Sequence, residues 1–195
     1  MTPERKKKLT AVLQKRQPDL TVVMENIHDP HNIAAVMRSC DAVGIQDIYI
    51  IKTKLPNRKK WGAHSSSSAN KWLNIYTFEQ TKDCFEAVRS RYDKIYTTRL
   101  QEDTKELYEL DFTDSVALVF GNERNGVSKE ACKFADGNFV IPQVGMISSL
   151  NISVACAVTL YEAYRQKSRA GHYDKPRLTE NAMRNIRNNW KLYDD

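Results

Sequence analysis

The chain has 195 residues, a formal net charge of +6 and a hydrophobic content of 41%. This length and composition suit one globular domain with additions at its ends, and no apolar run approaches the ~18 residues of a membrane-spanning helix. The N-terminus is charged from Glu4 onward and lacks the apolar stretch of a signal peptide, so the sequence predicts a soluble cytoplasmic protein.

The positive charge is concentrated near the two ends of the chain. Residues 1–17 contain six Lys or Arg and one acid, and residues 165–195 contain eight Lys or Arg and four acids. Residues 18–164 carry sixteen basic and nineteen acidic side chains, yet the segment 52–72 within them has six basic residues and no acid. Three basic segments around a near-neutral body are typical of nucleic-acid binding, although solvated lysines alone give the same pattern.

Helices and strands are predicted to alternate along the chain. Thr2 and Pro3 form a cap and a first helical position, so a basic helix is expected from there toward Pro18. Apolar runs then predict strands at 20–24, 47–51, 73–78, 94–98, 115–120 and 139–141. Helical patterns predict helices at 31–43, 79–91, 128–134, 151–166 and 178–190, with a loop or short helix over 55–70.

This alternation predicts an α/β domain with a mainly parallel sheet flanked by helices. The expected organisation is a basic helical extension over residues 1–18, the α/β domain over 19–168, and a basic extension over 169–195. The four cysteines are widely spaced and lie in helical or core-facing segments, which favours buried free thiols over a disulfide or a zinc site.

Ligands of such sheets bind beyond the carboxyl ends of the strands, where four segments fall: 32–38, 97–100, 121–126 and 141–151. The phosphate-binding glycine motifs of dinucleotide and P-loop enzymes are absent, as is the serine elbow of hydrolases. His28 and His31 flank Pro30 in a loop, without the rigid geometry of a helical metal site, so no metal is predicted.

The segment 139–154 combines a short apolar run, a bend at Gly145 and a Ser-Leu-Asn-Ile-Ser helix start. Such a strand-to-helix turn gathers backbone N–H groups, hydroxyls and an amide, which suits a polar ligand. A well-capped helix without any ligand accounts for the same residues.

Three stretches, in this order, resemble the motifs of SPOUT-class RNA 2′-O-ribose methyltransferases. They are Asn32-Ile-Ala-Ala-Val-Met-Arg38-Ser-Cys-Asp-Ala-Val-Gly44, Leu118-Val-Phe-Gly121-Asn-Glu123-Arg-Asn-Gly126-Val-Ser128 and Ile141-Pro-Gln-Val-Gly145-Met-Ile-Ser-Ser149-Leu-Asn151-Ile-Ser153-Val-Ala155. The stretches 16–20 and 165–171 are similar to the branch that methylates a guanosine ribose in tRNA. The resemblance covers nearly the whole chain and is weakest over 55–95 and after 172. Gln143 and Ser148 depart from the Met and Gln common in this family.

The resemblance implies a deep trefoil knot in the C-terminal half, a homodimer, and S-adenosyl-L-methionine as the methyl donor bound in the knot. The implied cofactor-binding residues are Thr98, Gly121, Ile141 and Leu150. The implied catalytic residues are Arg38, Asn32, Glu123, Ser149 and Asn151. The substrate would be tRNA, at a guanosine in the D-loop, with its backbone held by basic residues of the ends and of the segment 52–72: Arg5, Lys6, Lys7, Lys8, Arg16, Arg58, Lys59, Lys60, Arg165 and Arg169.

Methylation requires the ribose hydroxyl to lose its proton as it attacks the methyl group. The family proposal makes Arg38 the base once a substrate phosphate has prepared it; orienting that phosphate and stabilising the developing alkoxide is an equally good role for a guanidinium. Two rival functions stay open: the same chemistry on ribosomal RNA, whose enzymes usually carry a separate N-terminal RNA-binding domain, and a non-catalytic RNA-binding protein on the same scaffold.

Overall fold

A seven-stranded parallel sheet forms the centre of the protein. The computed structural model describes residues 1–53, 69–99 and 103–192. Within these ranges the strands are β1 (Leu20–Glu25), β2 (Asp47–Ile51), β3 (Asn74–Phe78), β4 (Lys94–Thr97), β5 (Lys105–Glu106), β6 (Val116–Phe120) and β7 (Gly137–Val140). The α-helices are α1 (Pro3–Gln14), α2 (Pro30–Ala42), α3 (Thr81–Arg89), α4 (Lys129–Cys132), α5 (Ile152–Arg169) and α6 (Glu180–Asn189).

The strands lie in the order β3-β2-β1-β6-β4-β7-β5, and every neighbouring pair is parallel. Val22 of β1 lies opposite Ile48 of β2 on one side and Leu118 of β6 on the other. The predicted α/β fold with a mainly parallel sheet is therefore confirmed. Because all these strands run the same way, their carboxyl ends meet at one edge of the sheet.

Helices cover both faces of this sheet. Alternate strand residues such as Val22, Met24 and Leu118 pack against α2 and α5, while Val23 and Val119 pack against α3 and α4. Burial on both faces explains why the strand sequences are continuously apolar rather than alternating. The thiols of Cys40, Cys84 and Cys156 are buried as predicted, and Cys132 is half-buried. Among the described helices, none has the length and apolar character needed to cross a membrane.

The structure differs from the predicted boundaries at several elements. The two-residue strand β5, followed by a 3₁₀ turn at Leu107–Glu109, was not predicted, because two exposed charged residues carry no strand pattern. Helix α5 continues to Arg169, and β7 begins at Gly137. Most of the predicted 55–70 loop lies outside the described residues, and its end forms a 3₁₀ turn at Ala69–Lys71.

The two terminal helices pack against each other. Leu9 and Leu13 of α1 form an apolar cluster with Ile186 of α6 and with Trp190 and Leu192, which follow it. The Trp72 ring meets the Trp190 ring edge-on, with centroids 5.5 Å apart. The helices near the two ends of the chain therefore pack together, and we call them the α1/α6 unit.

Arg16, one of the residues predicted to contact RNA, connects the α1/α6 unit to the sheet domain. Its side chain is completely buried: Nη1 donates to the Ile45 carbonyl at 2.9 Å and Nη2 to Asp41 Oδ1 at 2.6 Å. Its guanidinium carbon lies 5.2 Å from the centre of the Trp190 ring. Burial lowers the pKa of Arg16, and the Asp41 carboxylate opposes that shift. The Arg16 side chain has no exposed surface, and its Nη1 and Nη2 donate to groups inside the protein, so this structure leaves it no surface with which to contact RNA.

Asp19, just before β1, anchors the C-terminal segment. Its Oδ2 lies 3.1 Å from Lys167 Nζ, 2.8 Å from Arg177 Nη2 and 3.7 Å from His172 Nδ1. Lys167 is completely buried and also donates to the Asp114 carbonyl at 3.1 Å. This cluster lies at the amino ends of β1 and β6, on the edge of the sheet opposite to the predicted ligand site.

Candidate active site

Helix α2 carries the first two predicted catalytic residues. Asp29 caps this helix by accepting a hydrogen bond from the His31 N–H at 2.8 Å, and Pro30 occupies the first turn. The cap fixes the start of the helix, so Asn32 lies in its first turn beside the carboxyl end of β1. Asn32 is nearly buried, with 9% of its surface exposed.

Three predicted catalytic residues form a hydrogen-bonded chain. Asn151 Nδ2 donates to Asn32 Oδ1 at 3.1 Å, and Asn32 Nδ2 donates to Glu123 Oε1 at 2.8 Å. These residues are 119 and 91 positions apart in sequence and come from the three motif stretches. The side chains are therefore assembled by the fold, and each amide uses its donor and its acceptor in a consistent direction.

Asn151 also caps α5. Its Oδ1 accepts hydrogen bonds from the Ser153 N–H at 2.8 Å and from Ser153 Oγ at 2.6 Å. The two interpretations of this residue from sequence, cap and site residue, are both compatible with its geometry, because the cap uses the oxygen while the nitrogen reaches Asn32.

Arg38 and Ser149 do not join this chain. Arg38 lies on α2, about 9 Å further along the helix axis than Asn32 at 1.5 Å per residue. Its side chain is exposed and makes no hydrogen bond or ion pair with any described residue. Ser149 is likewise exposed, in the segment that precedes α5. The guanidinium of Arg38 is consequently available to an external anion.

The turn after β6 approaches itself closely at Gly121. A Cβ atom at this position would overlap the backbone of Gly126 and Val127, so a side chain is excluded. Gly126 adopts φ +63°, the left-handed conformation that favours glycine. Steric constraints therefore favour glycine at both positions of the second motif stretch, and these glycines allow the turn that carries Glu123.

The predicted cofactor segment 141–151 offers unused polar backbone. Within the described part of the chain, the N–H groups of residues 143–150 donate no hydrogen bond. Ile141 packs against the core, whereas Leu150 is 38% exposed. The N–H and Oγ1 of Thr98 both donate to the Val119 carbonyl, at 3.1 and 3.2 Å, which fixes Thr98 at the carboxyl end of β4. Free backbone groups beside apolar side chains fit a mixed ligand with both polar and apolar parts.

The predicted RNA-binding residues differ in availability. Arg5, Lys7 and Lys8 on α1 and Arg169 at the end of α5 are exposed, and Lys6 is half-buried. Arg165 donates to Glu162 through Nε at 2.7 Å and Nη2 at 2.6 Å, and these bonds lower the pKa of Glu162. Arg58, Lys59 and Lys60 lie outside the described residues. In the parts of the chain that are described, no group of three or more His, Cys, Asp or Glu is arranged to hold a metal ion.

Two residues that hold the turn, Glu25 and Asn122, were missed by the sequence reasoning. Asn122 is 7% exposed, and its side chain bonds to both its own turn and the end of β1. An Asn beside a glycine turn is a known signal for such bonds, but it does not reveal the distant partner.

The parallel sheet and the polar cluster at its carboxyl edge place the protein among α/β proteins that bind ligands at this edge. Residues 19–161 match the family model described as the SpoU rRNA Methylase family. The chain belongs to this family, and the predicted family resemblance is confirmed.

Individual relatives extend the match to nearly the whole chain. It is 39% identical over 191 residues to the tRNA (guanosine(18)-2′-O)-methyltransferase of Thermus thermophilus, covering 97% of this chain and 96% of that protein. The structure of the A. aeolicus TrmH/SpoU tRNA modifying enzyme matches with a TM-score of 0.87 and 36% identity, covering 96% of this chain and 94% of that one. The SpoU methyltransferase AviRb from Streptomyces viridochromogenes, solved in complex with AdoMet, matches with a TM-score of 0.70 and 26% identity, covering 80% and 60%.

Proposed function

We propose that the protein transfers a methyl group from S-adenosyl-L-methionine to the ribose 2′-hydroxyl of a guanosine in the D-loop of tRNA. The observation that carries this proposal is the Asn151–Asn32–Glu123 chain, assembled from three motif stretches, with the exposed Arg38 further along the helix that carries Asn32. The full-length similarity to a relative named as a tRNA (guanosine(18)-2′-O)-methyltransferase supports the choice of substrate.

Bound S-adenosyl-L-methionine supplies an electrophilic methyl group. The residues that would hold it are Thr98, Gly121, Ile141 and Leu150. The free N–H groups of residues 143–150 support this assignment, because they can meet the polar edges of a nucleoside while Ile141 and Leu150 contact its apolar surfaces. The AdoMet complex of a solved relative supports the same cofactor.

Arg38 acts on the substrate rather than on a protein partner. Its guanidinium is exposed and unpaired among the described residues, so it can bind a phosphate next to the reacting ribose with two parallel hydrogen bonds. The same charge stabilises the alkoxide that develops as the 2′-hydroxyl loses its proton. Positioning of this kind accounts for much of the acceleration of an in-line displacement.

The amide chain orients the nucleotide. Asn32 uses one amide hydrogen for Glu123 and one oxygen lone pair for Asn151, which leaves a second hydrogen and a second lone pair for a ribose or phosphate. Glu123 is exposed, so its Oε2 can accept a hydrogen bond from the substrate. Ser149 completes the site from the segment before α5.

The RNA backbone contacts would come from exposed cations at both ends of the chain: Arg5, Lys7, Lys8 and Arg169, with Lys6 and Arg165 beside them. Contacts from several of these cations to RNA phosphates would fix the orientation of the substrate. Ribosomal RNA is the alternative substrate. Because the matching family is described as rRNA methylases, ribosomal RNA should be tested alongside tRNA.

The proposal includes a trefoil knot, a homodimer and a cytoplasmic location. The chain leaves β7, beyond β4, and returns through 141–151 to bond Asn32 on α2, a crossing that supports the knot. Exposed apolar side chains on this segment and on α5 support a dimer, since monomers rarely expose such patches: Val144, Met146, Ile147, Val154 and Tyr161. The proposed tRNA substrate supports the cytoplasmic location of the protein.

The test is transfer of labelled methyl groups to bulk tRNA and to ribosomal RNA, followed by mapping of the modified nucleotide. We expect incorporation into tRNA at one guanosine, and a loss of about 10²-fold in kcat for Arg38→Ala. Lys82→Ala removes an exposed cation of α3 and serves as the matched control. Methylation of ribosomal RNA alone would establish the alternative, and no incorporation into either RNA would refute an enzymatic role.

A further inference from the structure

The turn that carries Glu123 is held at both of its ends. The two residues that hold it are Glu25, the last residue of β1, and Asn26, which follows it. At the start of the turn, Asn122 Nδ2 donates to the Asn26 carbonyl at 2.9 Å. At its end, the Ser128 N–H donates to Glu25 Oε2 at 2.8 Å. We call these two contacts the β1 clamp.

Asn122 also organises the interior of the turn. Its Oδ1 accepts hydrogen bonds from the N–H groups of Arg124 at 2.8 Å and Asn125 at 3.3 Å, and its carbonyl accepts one from Gly126 at 2.7 Å. One side chain therefore ties three points of the chain together. The backbone on both sides of Glu123 is fixed, although the Glu123 side chain itself is exposed.

Asn26 is itself held firmly enough to serve as an anchor. It adopts φ +53°, a left-handed conformation that non-glycine residues rarely occupy. Its N–H donates to the Ile51 carbonyl at 2.9 Å, and its Nδ2 donates to Thr53 Oγ1 at 2.9 Å. The end of β1 is thereby joined to the end of β2, so the clamp rests on two strands of the sheet.

Glu25 supplies the second contact of the clamp from an unusual position. The residue is only 2% exposed, and no described Lys, Arg or His forms an ion pair with its carboxyl group. Burial of an acidic side chain costs free energy unless a hydrogen bond or an ion pair compensates for the lost solvation. Here that bond is the one to Ser128.

We propose that Asn122 and Glu25 are positioning residues that act on the reaction through Glu123. They hold the turn where the Glu123 carboxylate lies 2.8 Å from Asn32 Nδ2, and a shift of about 1 Å would break this bond. Misplacement of that size costs about 10²-fold in rate when it affects a reacting group. This inference rests on the proposed function and assigns roles to two residues outside the predicted site.

The first test is a double-mutant cycle of Asn122→Ala and Glu123→Ala, read as kcat and KM for tRNA methylation. We expect kcat of Asn122→Ala to fall between about tenfold and 10²-fold with KM nearly unchanged, and the double variant to be no slower than Glu123→Ala alone. Losses that multiply in the double variant, or an unimpaired Glu123→Ala, would overturn the positioning role.

The second test does not depend on activity. Hydrogen exchange of Asn122→Ala should show faster exchange at the Arg124 and Asn125 amides, with the amides of β1 and β6 unchanged. Asn125→Ala changes an exposed side chain of the same turn and should leave this exchange pattern, kcat and KM at their wild-type values. Unchanged protection in Asn122→Ala would contradict the clamp.

Glu25 is tested by rescue. Glu25→Gln keeps an oxygen acceptor for the Ser128 N–H and should retain most of kcat, whereas Glu25→Ala should lose it and show faster exchange at Ser128. Equal losses in both variants would contradict a role through this hydrogen bond. A wild-type protein that methylates no RNA would refute the proposed function, while an active wild type with multiplying losses refutes the positioning role alone.

Discussion

Asn151 shows how one side chain serves folding and the candidate site together. Its oxygen accepts the bonds that cap α5, and its nitrogen donates to Asn32. The two uses require different atoms of the amide, so they can be separated by substitution. Ser and Asp can also cap a helix with an oxygen atom. Neither of them carries, beside that oxygen, the amide nitrogen with which Asn151 donates to Asn32.

We predict that Asn151→Asp keeps the cap and disrupts the site. The new carboxylate can still accept from Ser153, but it places an acceptor oxygen opposite Asn32 Oδ1 in place of the donor, so the chain breaks and kcat should fall at least tenfold (about 1.4 kcal/mol). Asn151→Ala should lose the cap as well, at about 1 kcal/mol, with Tm lowered by about 2–4 °C. Methyl-transfer assays and thermal unfolding measure the two effects, and an Asn151→Asp variant with wild-type kcat would exclude Asn151 from the site.

His172 makes the anchoring cluster sensitive to pH. Burial is the largest cause that lowers the pKa of His172, followed by the nearby Arg177 and Lys167 charges, while Asp19 acts in the opposite direction. A lowered pKa means that the folded protein binds this proton less readily than the unfolded chain. The contribution of neutral His172 to the stability of the folded protein is therefore fully present above about pH 6.5. It is lost as the pH falls through the folded-state pKa.

We predict that Tm of the wild type falls between pH 7 and pH 5 more steeply than Tm of His172→Gln. The backbone bonds of residue 172, to Lys167 and Gln17, are kept in this variant. Thermal unfolding across this pH range is the measurement. Parallel Tm curves for the two proteins would show that another group controls the pH dependence.

At the scale of elements, the packing of α1 on α6 changes how RNA binding must be tested. Removal of residues 1–17 would expose Ile186 and Trp190 and would delete the buried Arg16, so it would damage the fold along with the charge. The exposed cations of α1 can instead be neutralised without touching this cluster.

We predict that the triple variant Arg5→Gln, Lys7→Gln, Lys8→Gln binds tRNA more weakly and with a smaller salt dependence. Each lost phosphate contact should reduce the slope of log K against log salt by about 1. Lys82, Lys129 and Lys133 are equally exposed on α3 and α4 and, changed to Gln together, provide the control. An unchanged slope in the first variant would show that the α1 cations are only solvated.

The elements also show what sequence patterns can and cannot predict. The continuous apolar runs predicted six of the strands and their parallel arrangement, because burial on both faces leaves a clear pattern. The pattern gave no sign of β5, whose two exposed charged residues pair only because β7 lies beside them. Arg16 could not be distinguished from Lys6 or Lys7, since the partners that bury it, Asp41 and Ile45, are 25 and 29 residues away.

The candidate site was predicted only in part, and its residues were named by family resemblance rather than by an apolar pattern. Family resemblance named Asn32, Glu123 and Asn151, but their mutual hydrogen bonds required the fold. The β1 clamp was not predicted, because its partners are separated by 96 and 103 residues. Asn122 lies within the second motif stretch but was given no role there, and nothing in the sequence marks Glu25.

For the molecule as a whole, the sheet separates two polar clusters. The candidate site lies at the carboxyl ends of β1, β4 and β6, and the Asp19 cluster lies at their amino ends. Distant sites without shared partners usually contribute additively to stability. Substitutions in the Asp19 cluster should therefore change stability without changing the chemistry of the site.

The contact between Trp72 and Trp190 has a spectroscopic consequence. Trp190 belongs to the α1/α6 unit and Trp72 packs against it from the sheet domain, while the third tryptophan, Trp61, lies outside the described residues. Their emission responds to the undocking of the terminal helices, whereas far-ultraviolet circular dichroism responds to the whole backbone. Comparing the two signals during denaturation reveals whether the terminal helices separate before the sheet melts or together with it, because coincident transitions are the mark of a single cooperative unit.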